Sequence, residues 1–145
     1  MAGCETTSNS GQLTGDDLRA ATLKAGSLTP CPDNNACVSS MATDDQHLIA
    51  SFPLGPGDDQ AVLGRLKKAV LSLPGAVVAF ETPTYLHATF TSGLFRFMDD
   101  CELLIDRPRG AVQVRSASRF GQYDFGVNRQ RVETIRETLA NSSTQ

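Results

Sequence analysis

Four strand-forming stretches follow one another between Ala76 and Arg119 with connections of only a few residues, and this spacing constrains the fold more than any other feature of the chain. Parallel neighbours need a crossover of about a dozen residues or more, so connections this short imply an antiparallel meander. The stretches are Ala76–Glu81, Tyr85–Phe90 after a Thr82-Pro83 interruption, Phe95–Asp106, and Ala111–Arg119 after the turn Arg107-Pro108-Arg109-Gly110. Alternation assigns their faces. Leu86, Ala88 and Phe90 point one way, and Tyr85, His87 and Thr89 the other. In the third stretch Phe95, Phe97, Asp99, Cys101, Leu103 and Ile105 share a face; in the fourth, Val112, Val114, Ser116 and Ser118 oppose Gln113, Arg115 and Arg119.

Two amphipathic helices flank this meander. Val62, Leu66, Ala69, Val70 and Leu73 recur at spacings of three and four, with Asp58 or Asp59 as the cap and Pro74-Gly75 as the stop. After the loop Phe120–Gly126, Val132, Ile135 and Leu139 form the buried stripe of a last helix, and Asn128 reads as its cap. The expected fold is therefore α+β: an antiparallel four-stranded meander with two amphipathic helices packed on one face, in two layers.

At 145 residues one core is the default. Residues 1–28, rich in Ser, Thr, Gly and Asp, read as a flexible leader, 29–140 as a single α+β domain and 141–145 as a disordered tail. A short helix fits Asp16–Lys24, begun by Thr14 or Gly15 and ended by Gly26, although only Leu18, Ala21 and Leu23 would give it an apolar face. Net charge is -3 and pI about 5.3, which argues against a nucleic-acid partner. No run of roughly 18 apolar residues occurs, so no segment reads as a membrane span.

The four cysteines depend on compartment for their meaning. Met1-Ala2-Gly3-Cys4 resembles the processing site of bacterial lipoproteins, and the polar stretch after it resembles a lipoprotein tether, which makes Cys4 a candidate lipidation site. The charged and apolar regions of a signal peptide are missing, so the alternative is a free Cys4 in a disordered tail. Cys31 and Cys37 have five residues between them in the turn-forming segment Thr29–Ser40, a spacing that suits a small disulfide ring better than two reduced thiols or half of a metal site. Cys101 reads as a buried thiol. No metal or cofactor is expected.

Charged residues cluster on the third and fourth stretches. Hairpin pairing would bring Asp100 and Glu102 near Arg115 and Arg119 as a cross-strand lattice, with ligand recognition or acid–base chemistry as alternatives. Asp99 is the exception, since alternation puts it on the apolar side, where it must accept hydrogen bonds from backbone amides or an arginine. Arg131 and the loop around Gly121 are its nearest candidates by chain order. Tyr123, Asp124, Asn128, Arg129 and Arg131 gather at the mouth of the last helix, whose N-terminus attracts anions, although Asp124 and Asn128 also fit as simple caps. His87 reads as a surface residue.

Cys31-Pro32-Asp33 through Cys37-Val38-Ser39-Ser40, Tyr85-Leu86-His87-Ala88, Phe97-Met98-Asp99-Asp100-Cys101-Glu102, Arg115-Ser116-Ala117-Ser118-Arg119, and Asp124-Phe125-Gly126-Val127-Asn128-Arg129 with Arg131-Val132-Glu133 resemble the domain-of-unknown-function 1499 family over residues 29–140. The resemblance implies a domain of bacteria and plastid-bearing organisms, often exported, with no settled activity.

Two functions from different classes follow. The first is an exported, envelope-associated domain, periplasmic or lipid-anchored, that recognises a protein partner or small anionic ligand without catalysis through Arg115, Ser116, Ser118, Arg119, Asp124, Asn128 and Arg131. Its membrane contact would be a lipid on Cys4. The second is a hydrolase-like enzyme using Asp99, Asp100 or Glu102 as acid–base groups; for location, the cytoplasm is the alternative to export.

Overall fold

The computed structural model describes residues 14–92 and 97–142. Cys4 and the rest of the lipoprotein-like start, the first residues assigned to the third stretch, and the last three residues lie outside the described residues.

The chain folds in the order α1 (Gly15–Ala25), β1 (Cys37–Ser39), β2 (Phe52–Pro53), α2 (Asp59–Leu71), β3 (Ala76–Thr82), β4 (Tyr85–Thr91), β5 (Met98–Asp106), β6 (Ala111–Ser118) and α3 (Val127–Ser142). The fold is α+β with an antiparallel sheet, as the strand spacing implies. The meander β3-β4-β5-β6 is present, and β1 and β2 extend the sheet to six strands by pairing with the free edge of β6.

Local chemistry sets the boundaries. Asp58 caps α2 by accepting from the Ala61 amide at 3.0 Å. At Gly75, φ is +80° and a Cβ would lie 2.4 Å from the Thr91 carbonyl oxygen, so only glycine fits where α2 hands over to β3. Asp124 caps α3 by accepting from the Gly126 and Asn128 amides. Asn128 is therefore not the cap. It lies inside the first turn, buried, with its side chain turned toward β6.

One face of the sheet holds the apolar core. Leu86, Ala88, Phe90, Cys101, Leu103, Val112 and Val114 pack against Val62, Leu66 and Val70 of α2 and Val132 and Ile135 of α3. Burial pushes the Cys101 thiol up to about 12, so it is a packing group.

The other face is covered too. Thr14 accepts from the Asp17 amide, Gly26 closes α1 in the left-handed conformation, and the helix buries Leu18 and Thr22. Arg19 stacks on Phe80 at 4.6 Å and comes within 3.4 Å of His87 Nδ1. The short helix expected over Asp16–Lys24 is thus present as Gly15–Ala25, and it lies on the sheet, held by polar contacts, where a flexible leader was expected. The covering helix adds a third layer to the two expected. Asn141 and Ser142 belong to α3, so the tail assignment fails at those two positions.

Cys31 and Cys37 are joined by a disulfide, which fastens the loop before β1 to the sheet edge. On loop-closure entropy, Cys31→Ser is expected to cost about 2–2.5 kcal/mol. Urea denaturation of oxidised protein and variant checks this, and equal midpoints would show that the bridge does not constrain the unfolded chain.

Candidate functional site

The sheet divides the expected polar cluster into two. Register pairs Asp99 with Ser118 and Cys101 with Ser116 on the core side, and Asp100 with Ala117 and Glu102 with Arg115 on the α1 side. Arg115 and Arg119 therefore share no face with Ser116, Ser118, Asp124, Asn128 and Arg131.

On the core side, Arg131 donates to Asp99 at 2.6 Å, to Asn128 Oδ1 at 2.8 Å and to Ser116 Oγ at 3.1 Å, while its guanidinium stacks on Phe90 at 4.5 Å. Asn128 in turn donates to Ser118 Oγ at 2.9 Å and Asp124 at 2.7 Å. The chain is closed, each buried polar group meeting a partner, as interior networks require. Arg131 is thus the partner that the buried Asp99 demanded.

On the α1 side, Asp100 accepts two hydrogen bonds from Arg119, at 2.8 and 2.9 Å, and lies 2.8 Å from His87 Nε2. Burial would raise this carboxyl, but His87 and Arg119 outweigh it and hold the group down at about 2. Tyr85 donates to Glu102 at 2.5 Å. Burial pushes Glu102 up despite that bond, and burial together with the neighbouring Glu102 raises the Tyr85 hydroxyl. Glu102 Oε1, Thr22 Oγ1 and Arg115 Nε have no hydrogen bond of acceptable geometry, although Thr22 and Arg115 both stand near Glu102. His87 is buried here. Alternation placed it on the non-core face correctly, but gave no sign that α1 covers that face.

A third feature was not anticipated. Between the start of β5, the end of β6 and the loop leading into α3 lies a groove of about 340 Å³, lined by Ser92, Phe97, Met98, Asp99, Ser118, Phe120, Gly121, Tyr123, Asp124, Phe125 and Val127. Its four aromatic rings are between 57% and 84% exposed. Tyr123 and Phe125 meet edge to face at 4.7 Å, and Phe125 holds φ at +56°, a left-handed conformation that bulky residues rarely adopt. The signal was in the sequence: Phe120, Tyr123 and Phe125 fall within six residues that contain Gly121 and are followed by Gly126, a density beyond what a connecting loop needs.

Among the described residues no group of three or more His, Cys, Asp or Glu side chains is placed to hold a metal ion, and no helix is long and apolar enough to cross a membrane. No curated protein matches the chain. The family described as a protein of unknown function, DUF1499, matches residues 27–139, which takes in the sheet, all but the last residues of α3 and every residue of the groove. The chain belongs to the DUF1499 family.

Proposed function

We propose that this domain is a non-catalytic recognition module whose binding surface is the aromatic groove. The observation that carries the reading is Phe125, whose ring is 84% exposed on a left-handed backbone. Such a residue gains little for folding and costs about 1–2 kcal/mol of backbone strain, a combination typical of binding sites. Exposed apolar surface gathered around a concavity points the same way.

Small anions are the less favoured ligand, because Arg119 and Arg131 each face a carboxylate and Arg115 is buried. Acid–base catalysis is also less favoured. Asp99 is paired with Arg131, Asp100 with Arg119 and His87, and Glu102 is wholly buried, so none of these three carboxylates is both accessible and raised toward neutrality. The disulfide favours an oxidising compartment, which supports export; a lipid on Cys4 would then hold the module at a membrane surface.

Phe125→Gly tests the reading. Glycine relieves the left-handed strain at the cost of one edge-to-face contact, so stability is expected to stay level or rise by up to about 1 kcal/mol. A loss of about 2 kcal/mol or more in thermal or urea unfolding would mean that the ring serves the fold, as large losses on truncation do elsewhere.

A further inference from the structure

Resting on that reading, we propose that the groove's ligand is a small alkylated ammonium ion free in solution, of the choline type. Three observations lead there. Aromatic rings present a negative face to whatever lies over them, and four of them surround this groove. Two aspartates, Asp99 and Asp124, line it, and among the described residues no lysine, arginine or histidine does. Among the described residues, of these carboxylates only Asp99 has a cationic partner, Arg131, while Asp124 accepts from uncharged amides, those of Gly126 and Asn128.

The local charge balance follows. Asp99 and Arg131 cancel, while Asp124 adds a full negative charge against the roughly half positive charge of the α3 N-terminus. Among the described residues the site is left acidic by about half a charge on the same estimate. An anion would be repelled there, and a strongly hydrated cation such as sodium would give up too much water to enter a largely apolar concavity. An alkylated ammonium ion carries its charge beneath methyl groups, so it sheds little hydration and contacts the rings directly. Its trimethylammonium head is small against the groove's volume of about 340 Å³.

The test is an NMR titration of the full chain with choline chloride, alongside its neutral isostere 3,3-dimethylbutan-1-ol and the neutral aromatic indole, at constant ionic strength. Choline is expected to bind about tenfold or more tightly than the isostere, the margin that cation–π contact with several rings supplies. Tyr123→Ala, at a ring that is mostly exposed and so removable without unfolding, is expected to weaken choline several-fold while leaving the thermal midpoint in place. Equal binding of choline and isostere overturns the cationic ligand but leaves groove recognition standing. Binding of indole alone does the same. Binding of none of the three overturns both readings. Co-sedimentation with phosphatidylcholine vesicles without binding of free choline would overturn the small-molecule proposal in favour of a lipid headgroup.

Discussion

Arg131→Ala is expected to cost about 3–5 kcal/mol, the loss seen when one partner of a buried ion pair is removed and the other charge stays behind. The size follows from what the guanidinium touches: Asp99, Asn128 Oδ1 and Ser116 Oγ by hydrogen bonds, and the face of Phe90 by stacking. Truncation leaves the Asp99 carboxylate against Phe90 and Met98 with no cation to balance it. Asp99→Ala removes the other half and is expected to cost roughly 2–3 kcal/mol, because Arg131 retains Asn128 and Ser116 as acceptors. Together with the double variant, these form a cycle whose coupling energy should exceed about 1 kcal/mol, as for residues in direct contact. A surface-like loss under about 0.5 kcal/mol for Arg131→Ala would mean that Asp99 is hydrated and the network open.

Asp100→Ala is expected to cost about 3 kcal/mol at neutral pH, from the lost charge-assisted bonds and from a His87 nitrogen left buried without a partner. The figure falls short of a fully buried pair because Arg119 keeps 28% of its side chain exposed and can be hydrated. This variant should also change the acid limb. The carboxyl is held at about 2 in the folded protein against an ordinary value of 3.8. A depressed carboxyl stabilises the fold above its unfolded value, and that contribution, roughly 2 kcal/mol, fades as pH falls from about 4 through 2. Urea denaturation at pH 7 and pH 2 should therefore show the parent losing most of its advantage over the variant at the lower pH. A gap that does not narrow would place the Asp100 charge outside the stabilising network.

Much of this architecture was legible, and the parts that were not share a cause. β3 to β6, α2 and α3 announce themselves by period, since each lays an apolar stripe on one core. β1 and β2 are three and two residues long and exist only because β6 offers an unpaired edge, a long-range fact absent from local pattern. The short helix over Asp16–Lys24 is legible from its cap and stop, but its place on the sheet is not, because its hold is largely polar: Arg19 on Phe80 and near His87, and Thr22 near Glu102, where Leu18, Ala21 and Leu23 give only a thin apolar face.

The candidate site was partly legible for similar reasons. Asp99 was conspicuous because a carboxylate broke an apolar alternation, and chain order was enough to suggest Arg131. Placing Arg115 and Arg119 in the same site as Arg131 ignored the pleat, which sends Arg115 and Ser116 to opposite faces. The groove was overlooked because Phe120–Gly126 reads first as a turn, and turn chemistry says nothing about where the rings it carries will stand.

The central claim is that the exposed rings, and not the buried charges, form the working surface, and a titration with indole followed in the aromatic region of the ¹H–¹³C NMR spectrum tests it most directly. The account predicts shifts confined to Phe97, Phe120, Tyr123 and Phe125, saturating, and abolished in the Tyr123→Ala, Phe125→Gly double variant. Shifts centred on Tyr85 and His87 beneath α1, or no saturable shift with either indole or choline, would contradict it.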